Sequence, residues 1–297
     1  MRKTPDQKST PAIGVTGASG FIGSHLTNAL RASRSGEISP LNRANGKSVP
    51  GVAVLRKFAT NLDLIYHLGG VNRASSKEII EGNVLYMSHL VEALQSLPEP
   101  RPRVIFMSSA LVYAITGDNF KIRESQATRP ETLYGVCKKA AEDILHASGL
   151  DHTILRFTNI YGPGCRPDYN STIATFCDRA IRGEAVCIHG DGEQSRNFLY
   201  IDDAIRALIQ AGKVPAKRGA RIYNVGSGTM ISLNQIAAQI KRQVPGLSVE
   251  RDTKKSGGLS YGCDVTRFSK RFQWKPKVAL NEGIRQTLDW FSERQKK

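Results

Sequence analysis

The sequence predicts an α/β protein built on a doubly wound parallel sheet, with a smaller lobe in its C-terminal half. Three observations predict it. A short apolar strand at Ala12–Thr16 runs into a turn carrying Gly17, Gly20 and Gly23, and then into an amphipathic helix. Apolar runs of strand length then alternate with helical periodicities as far as Thr158, a pattern that sets parallel strands beneath helices on both faces. From Asn159 onward the alternation gives way to Gly/Pro-rich turns, short strands and further helices.

Residues 1–11, ending Lys8-Ser9-Thr10-Pro11, read as a polar, mobile tail, and the fold starts at Ala12. After the first strand, Phe21, Ile22, Leu26 and Leu30 recur at helical spacing over Phe21–Ala32. Strand, glycine turn and helix in that order form the dinucleotide-binding opening of a Rossmann-type fold. Gly17 permits the tight turn, Gly20 lets backbone approach a pyrophosphate, Gly23 allows close helix packing, and the helix N-terminus attracts the anion. Ser19, Phe21 and Ile22 complete this candidate cofactor site. Glu37–Arg43 is the candidate second strand, interrupted by Pro40, which removes a ladder donor. Its end offers Asn42 and Arg43 where an acid normally meets the ribose 2′-hydroxyl of NAD, and a guanidinium there suits the 2′-phosphate of NADP. NADP(H) is therefore the expected cofactor, with NAD(H) the alternative and Glu37 an outside candidate for the acid.

Further strands are expected at Leu62–Leu68, Arg103–Ser108 and Thr153–Phe157, with helices at Glu78–Leu97 and Leu133–Ala147. The second half should hold helices near Thr172–Arg182, Asp202–Ala211 and Leu233–Val244. The expected organisation is a dinucleotide-binding domain over 12–158 and a substrate-binding lobe over 159–297, interleaved with the sheet and not independent of it.

Tyr134 and Lys138 lie four residues apart where a helix is expected, so both face one side. An ammonium beside a phenol, together with an oxidised nicotinamide, should lower the tyrosine pKa from about 10 and make Tyr134 a general acid/base. Ser108 and Ser109 close the strand Arg103–Ser108 at its carboxyl edge, where ligands of such sheets bind, and a serine hydroxyl there can hold the oxygen that Tyr134 protonates.

Composition bounds the partners. No run approaches the roughly 20 apolar residues of a membrane span, and Met1-Arg2-Lys3 is followed by no apolar signal core. The five cysteines, Cys137, Cys165, Cys177, Cys187 and Cys263, show no metal-binding or redox spacing. A cytoplasmic protein with free thiols and no metal is expected, without membrane insertion. The net charge of +16 raises nucleic acid as a partner, but the charge is dispersed and no nucleic-acid-binding signature accompanies it. An anionic small substrate accounts for some of it equally well.

Taken together, these residues resemble the extended short-chain dehydrogenase/reductases of the epimerase/dehydratase family, the UDP-galactose 4-epimerase type, over nearly the whole chain. The resemblance implies a catalytic serine, tyrosine and lysine at Ser109, Tyr134 and Lys138. It also implies cofactor contacts from Leu68, Gly69 and Gly70 of His67-Leu68-Gly69-Gly70 and from Asn83 of Gly82-Asn83-Val84. A nucleoside-diphosphate-sugar substrate would meet Asn159 and Arg196 at its diphosphate, with Arg251, Lys254 and Lys255 as basic residues before Asp264. Arginine suits that role because its fork pairs phosphate oxygens bidentately. A homodimer through the helices at Glu78–Leu97 and Leu133–Ala147 is implied as well. The stretches His67–Arg73 and Pro167–Cys177 are similar to bacterial capsule and O-antigen UDP-sugar 4-ketoreductases. Ser109-Ala110-Leu111 stands where 4,6-dehydratases carry Thr-Asp-Glu, which argues against dehydration. The leading expectation is an NADPH-dependent 4-keto-sugar reductase acting at C4 of a UDP- or dTDP-hexose in polysaccharide precursor synthesis. The alternatives are an NAD-dependent UDP-sugar 4-epimerase and, in another class, a cofactor-sensing or RNA-associated protein with a vestigial site.

Overall fold

The computed structural model describes residues 10–42, 49–115, 117–167, 169, 171–214 and 221–296. In chain order the first half contains β1 (Ala12–Thr16), α1 (Phe21–Ala32), β2 (Glu37–Leu41), α2 (Val52–Ala59), β3 (Leu64–His67), α3 (Ser76–Ile80), α4 (Tyr86–Gln95), β4 (Arg103–Ser109), β5 (Asn119–Ile122), α5 (Leu133–Ala147) and β6 (His152–Phe157). The second half contains β7 (Asn159–Tyr161), α6 (Thr172–Ile181), β8 (Val186–His189), β9 (Ser195–Tyr200), α7 (Ile201–Lys213), β10 (Ile222–Val225), β11 (Met230–Ser232), α8 (Leu233–Gln243), β12 (Val249–Asp252), β13 (Tyr261–Cys263), α9 (Thr266–Phe272) and α10 (Leu280–Gln295).

Six strands form the main sheet in the order β10-β6-β4-β3-β1-β2, and every pairing is parallel. Side-chain alternation divides its residues between two cores. Val15, Tyr66, Ile105 and Leu155 belong to the core shared with α1 and α7, while Ile65, Val104, Phe106 and Ile154 pack with α4 and α5. This is why the strands read as near-continuous apolar runs.

Pro40 sits opposite Val15 within β2, which lies at the sheet edge, where a missing N–H costs no ladder bond. Between β2 and β3 the described chain forms the helix α2 and no strand, so the sheet continues on its other edge through β10, contributed by the second half. β10 pairs in parallel with β6. The long predicted helix at Glu78–Leu97 is broken by a π-turn at Glu81–Leu85 between α3 and α4. A second sheet, β11-β9-β13-β5, with β7 on β9, and a β12-β8 pair complete the fold. Among the described residues no helix is long and apolar enough to cross a membrane, and no cluster of metal-ligating side chains occurs.

Candidate active site

The glycine turn lies at the carboxyl end of β1. Gly17 has φ +69°, and a Cβ there would stand 2.9 Å from the Gly69 nitrogen, so the turn accepts only glycine. A Cβ on Gly23 would lie 2.0 Å from the Gly17 carbonyl oxygen, which is the close packing that the spacing predicts. Gly20 caps α1 without a side-chain bond, leaving the first helical amides open toward the cleft. The Ser19 amide donates to the Asn42 side-chain oxygen at 2.7 Å, which ties the end of β2 to the turn. Arg43 lies outside the described residues.

Two adjoining cavities of about 180 and 320 Å³ open over the carboxyl ends of β1, β3, β4 and β6 and share Phe21, Ile22, Asn72, Met107, Ser108 and Tyr134. The larger is also lined by Gly17, Gly20, Gly23, Leu68, Gly70 and Lys138, the smaller by Ser109 and Asn159. Asn83 stands behind Gly70. The π-turn carries it inward, where its side-chain NH2 donates to the carbonyls of Val71 (2.7 Å) and Ile79 (2.8 Å). Its Oδ1 is buried without a protein partner, 2.9 Å from where a Cβ on Gly70 would be. An unpaired buried acceptor beside a glycine cradle fits a bound dinucleotide, with Asn83, Lys138 and the Gly17–Gly23 turn as the residues that would hold it.

Tyr134 and Lys138 face the same cavity from α5, which Thr132 caps by accepting the Gly135 amide at 3.1 Å. Burial raises the Tyr134 phenol above its ordinary pKa, nearby Tyr169 adds to the rise, and a hydrogen bond with Ser109 opposes it. The expected lowering by Lys138 is not what the geometry gives. The Lys138 ammonium lies 5.8 Å from the centre of the Tyr134 ring and donates instead to the Met107 carbonyl at 3.0 Å. Burial therefore favours the neutral phenol at Tyr134. Burial pushes Lys138 down to about 8, with Glu142 opposing. His67 closes β3 with Nδ1 at 2.8 Å from Thr16 Oγ1, and burial and the Lys138 charge push it down to about 3, so the ring is neutral.

On the lobe side, Arg196 of β9 lies over the Tyr261 ring at 4.5 Å and forms no ion pair among the described residues. Asn159 donates to the Asn197 carbonyl at 3.3 Å, and Tyr261 joins Asn159 in lining the smaller cavity. These residues therefore meet at one end of the cleft. Lys254 and Lys255 line neither cavity: they stand exposed on the turn after β12, where Lys255 pairs with Asp252 at 3.2 Å. Tyr169 belongs to no motif of candidate site residues, yet its hydroxyl accepts the Asn72 and Arg73 amides at 3.3 Å each and ties the loop after β7 to the loop after β3. Its only sequence signal was its place in the Pro167–Cys177 stretch. Tyr261 carried none.

Fold and site together define a dinucleotide-binding enzyme of the short-chain dehydrogenase/reductase class. The NAD dependent epimerase/dehydratase family matches residues 13–226, and the chain belongs to that family. It is 28% identical to UDP-N-acetyl-alpha-D-glucosaminuronate decarboxylase of Bacillus cytotoxicus, over 94% of this chain and 97% of that protein. It is also 28% identical to UDP-glucuronate 4-epimerase 6 of Arabidopsis thaliana, over 93% of this chain and 70% of that one. Among solved structures, MoeE5 in complex with UDP-glucose and NAD is 29% identical with a TM-score of 0.81, covering 96% of this chain and all (100%) of that one.

Proposed function

We propose that the protein is an NAD-dependent 4-epimerase of a UDP-hexose. The observation that carries this reading is a cleft holding Ser109, Tyr134 and Lys138 with no carboxylate among its described lining residues. Dehydration across the ring needs an additional acid/base pair, whereas oxidation and reduction at one carbon need a single proton carrier. The relatives that act on UDP-glucuronate, and the neighbour that binds UDP-glucose and NAD, support both substrate class and cofactor.

When bound, the cofactor supplies the hydride acceptor and donor for C4. Ser109 would orient the C4 oxygen; Tyr134, as a phenolate favoured by the Lys138 charge together with that of the oxidised cofactor, would take the C4 proton, hold it as a phenol and return it as the sugar is reduced. Arg196 and Asn159 hold the diphosphate. A further cavity of about 370 Å³, lined by Phe176, His189 and Gln194, adjoins Arg196 through the turn at Ser256–Gly258 and suits the base. Ile80, Leu85, Leu133 and Val136 leave apolar side chains exposed on the two helical segments expected to pair, so a homodimer belongs to the reading, as does a cytoplasmic location with free thiols.

A second reading, an NADPH-dependent 4-ketoreductase, is favoured by the end of β2, where Asn42 stands in place of an acid. Incubating the protein with UDP-glucose and UDP-glucuronate without added cofactor separates the two. A C4 epimer in the product supports the epimerase. No epimer, with reduction of a UDP-4-ketosugar only when NADPH is supplied, supports the reductase.

A further inference from the structure

Tyr134, Lys138 and Glu142 follow one another at four-residue steps along one face of α5. Glu142 lines neither cavity and is 2% exposed, a carboxylate set between the helix and the sheet. Three hydrogen bonds hold it there. Arg156 of β6 donates through Nε to Oε1 at 2.9 Å and through Nη2 to Oε2 at 2.6 Å, and Ser108 donates to Oε1 at 2.5 Å. Arg156 is itself fixed, lying over the Tyr113 ring at 4.7 Å, while the Tyr113 hydroxyl donates to Asn224 at 2.7 Å.

A buried ion pair does not need a catalytic neighbour, and an apolar pair often replaces one without loss. What ties this one to the reaction centre is its company. Ser108 adjoins Ser109 and lines both cavities, and Lys138 is one turn away on the same helix. We propose that Glu142 is a positioning residue of the reaction centre, its carboxylate pinned by Arg156 and Ser108 so that it holds the Lys138 ammonium and the end of β4 in place.

The charges around Lys138 support this. Its own helix supplies Glu142, the Cys137 thiol and the Tyr134 ring. β4 supplies the Met107 carbonyl and the Phe106 ring, 4.9 Å from the ammonium, and β3 supplies His67, which burial keeps neutral. The loop after β3 and the π-turn bring Gly70 and the Asn83 oxygen. Arg156 stands behind Glu142 on β6. Among these described groups Glu142 is the anion that opposes the burial of Lys138, and without it two buried cations share no counter-charge.

The test reads Lys138 directly, and rests on the proposed function only for its second readout. The Lys138 side-chain ¹⁵N resonance is followed against pH in the full-length labelled protein and assigned by its loss in Lys138→Arg. In Glu142→Gln the midpoint should fall by about one pH unit or more, and in Glu142→Asp by less, with the same sign. The alkaline limb of UDP-sugar turnover should move with it. An unchanged midpoint in Glu142→Gln, even with a lowered melting temperature, would leave Glu142 a purely structural residue and overturn the proposal. Should Glu142→Gln not fold, Glu142→Asp decides alone, and an unmoved midpoint there overturns it equally. A shifted midpoint in a protein that turns over no UDP-sugar retains the positioning role and removes the proposed function instead.

Discussion

Replacing Tyr134 by phenylalanine removes one oxygen atom and leaves the ring, and the structure separates what that costs folding from what it costs turnover. The Ser109 hydroxyl loses a partner but still accepts the Leu111 amide at 3.2 Å, and Lys138 keeps its bond to the Met107 carbonyl. Stability should therefore change by no more than about 1 kcal/mol, the net worth of one hydrogen bond. Loss of the proposed proton carrier should lower kcat by about 10²- to 10⁴-fold, or roughly 2.7–5.5 kcal/mol in the barrier. The glycine turn, Asn83 and Lys138 are untouched, so cofactor affinity should not move. Steady-state turnover of UDP-glucose and UDP-glucuronate, fluorescence titration with NADH and a thermal melt measure the three quantities on one preparation. A kcat within about tenfold of the native value, in a protein that folds and binds NADH normally, would refute Tyr134 as the proton carrier.

Three further outcomes are expected. Lys138 is protonated below about pH 8 and loses its proton as pH rises through that value, so turnover should decline above pH 8, and a profile flat to pH 10 would contradict the role of its charge. His67 stays neutral down to about pH 3 in the native state but accepts a proton near pH 6.5 when unfolded, so its share of stability is lost as pH falls below 6.5. That loss should reach about 2 kcal/mol at pH 5 in urea unfolding, and His67→Gln should flatten the slope. Gly23→Ala would press a methyl group to 2.0 Å from the Gly17 carbonyl oxygen, so α1 must shift from the turn. Destabilisation of about 1–3 kcal/mol and a weaker NADH titration should appear together.

Much of this site was legible because its residues obey short-range rules. Strand, glycine turn and helix are contiguous, Tyr134 and Lys138 share a helical face, and Ser109 ends an apolar strand. Pro40 misled only in part: it weakens a strand in general, yet β2 is an edge strand that tolerates it. The π-turn at Glu81–Leu85 left no mark in the periodicity, although it is what turns Asn83 inward. The Glu142–Arg156 pair joins a helix to a strand 14 residues further on, and no local pattern announces it. The available signal was Arg156 inside the apolar run Thr153–Phe157, since a charge on a strand buried on both faces requires a partner. Lys254 and Lys255 were placed by sequence proximity to Asp264, and the turn after β12 pairs Lys255 with Asp252 instead. The orientation of the Lys138 ammonium toward Met107 depends on the end of β4, which helical spacing alone does not describe.

In the proposed reaction, hydride leaves and returns to the same sugar carbon within one protein while Tyr134 carries the proton. UDP-hexose deuterated at C4, incubated with the protein in ordinary water without added cofactor, tests this most directly by NMR of the recovered sugars. Epimerisation by this route should give a C4 epimer that retains deuterium at C4. An epimer that has lost the label to solvent, or recovery of unchanged starting sugar alone, would contradict it.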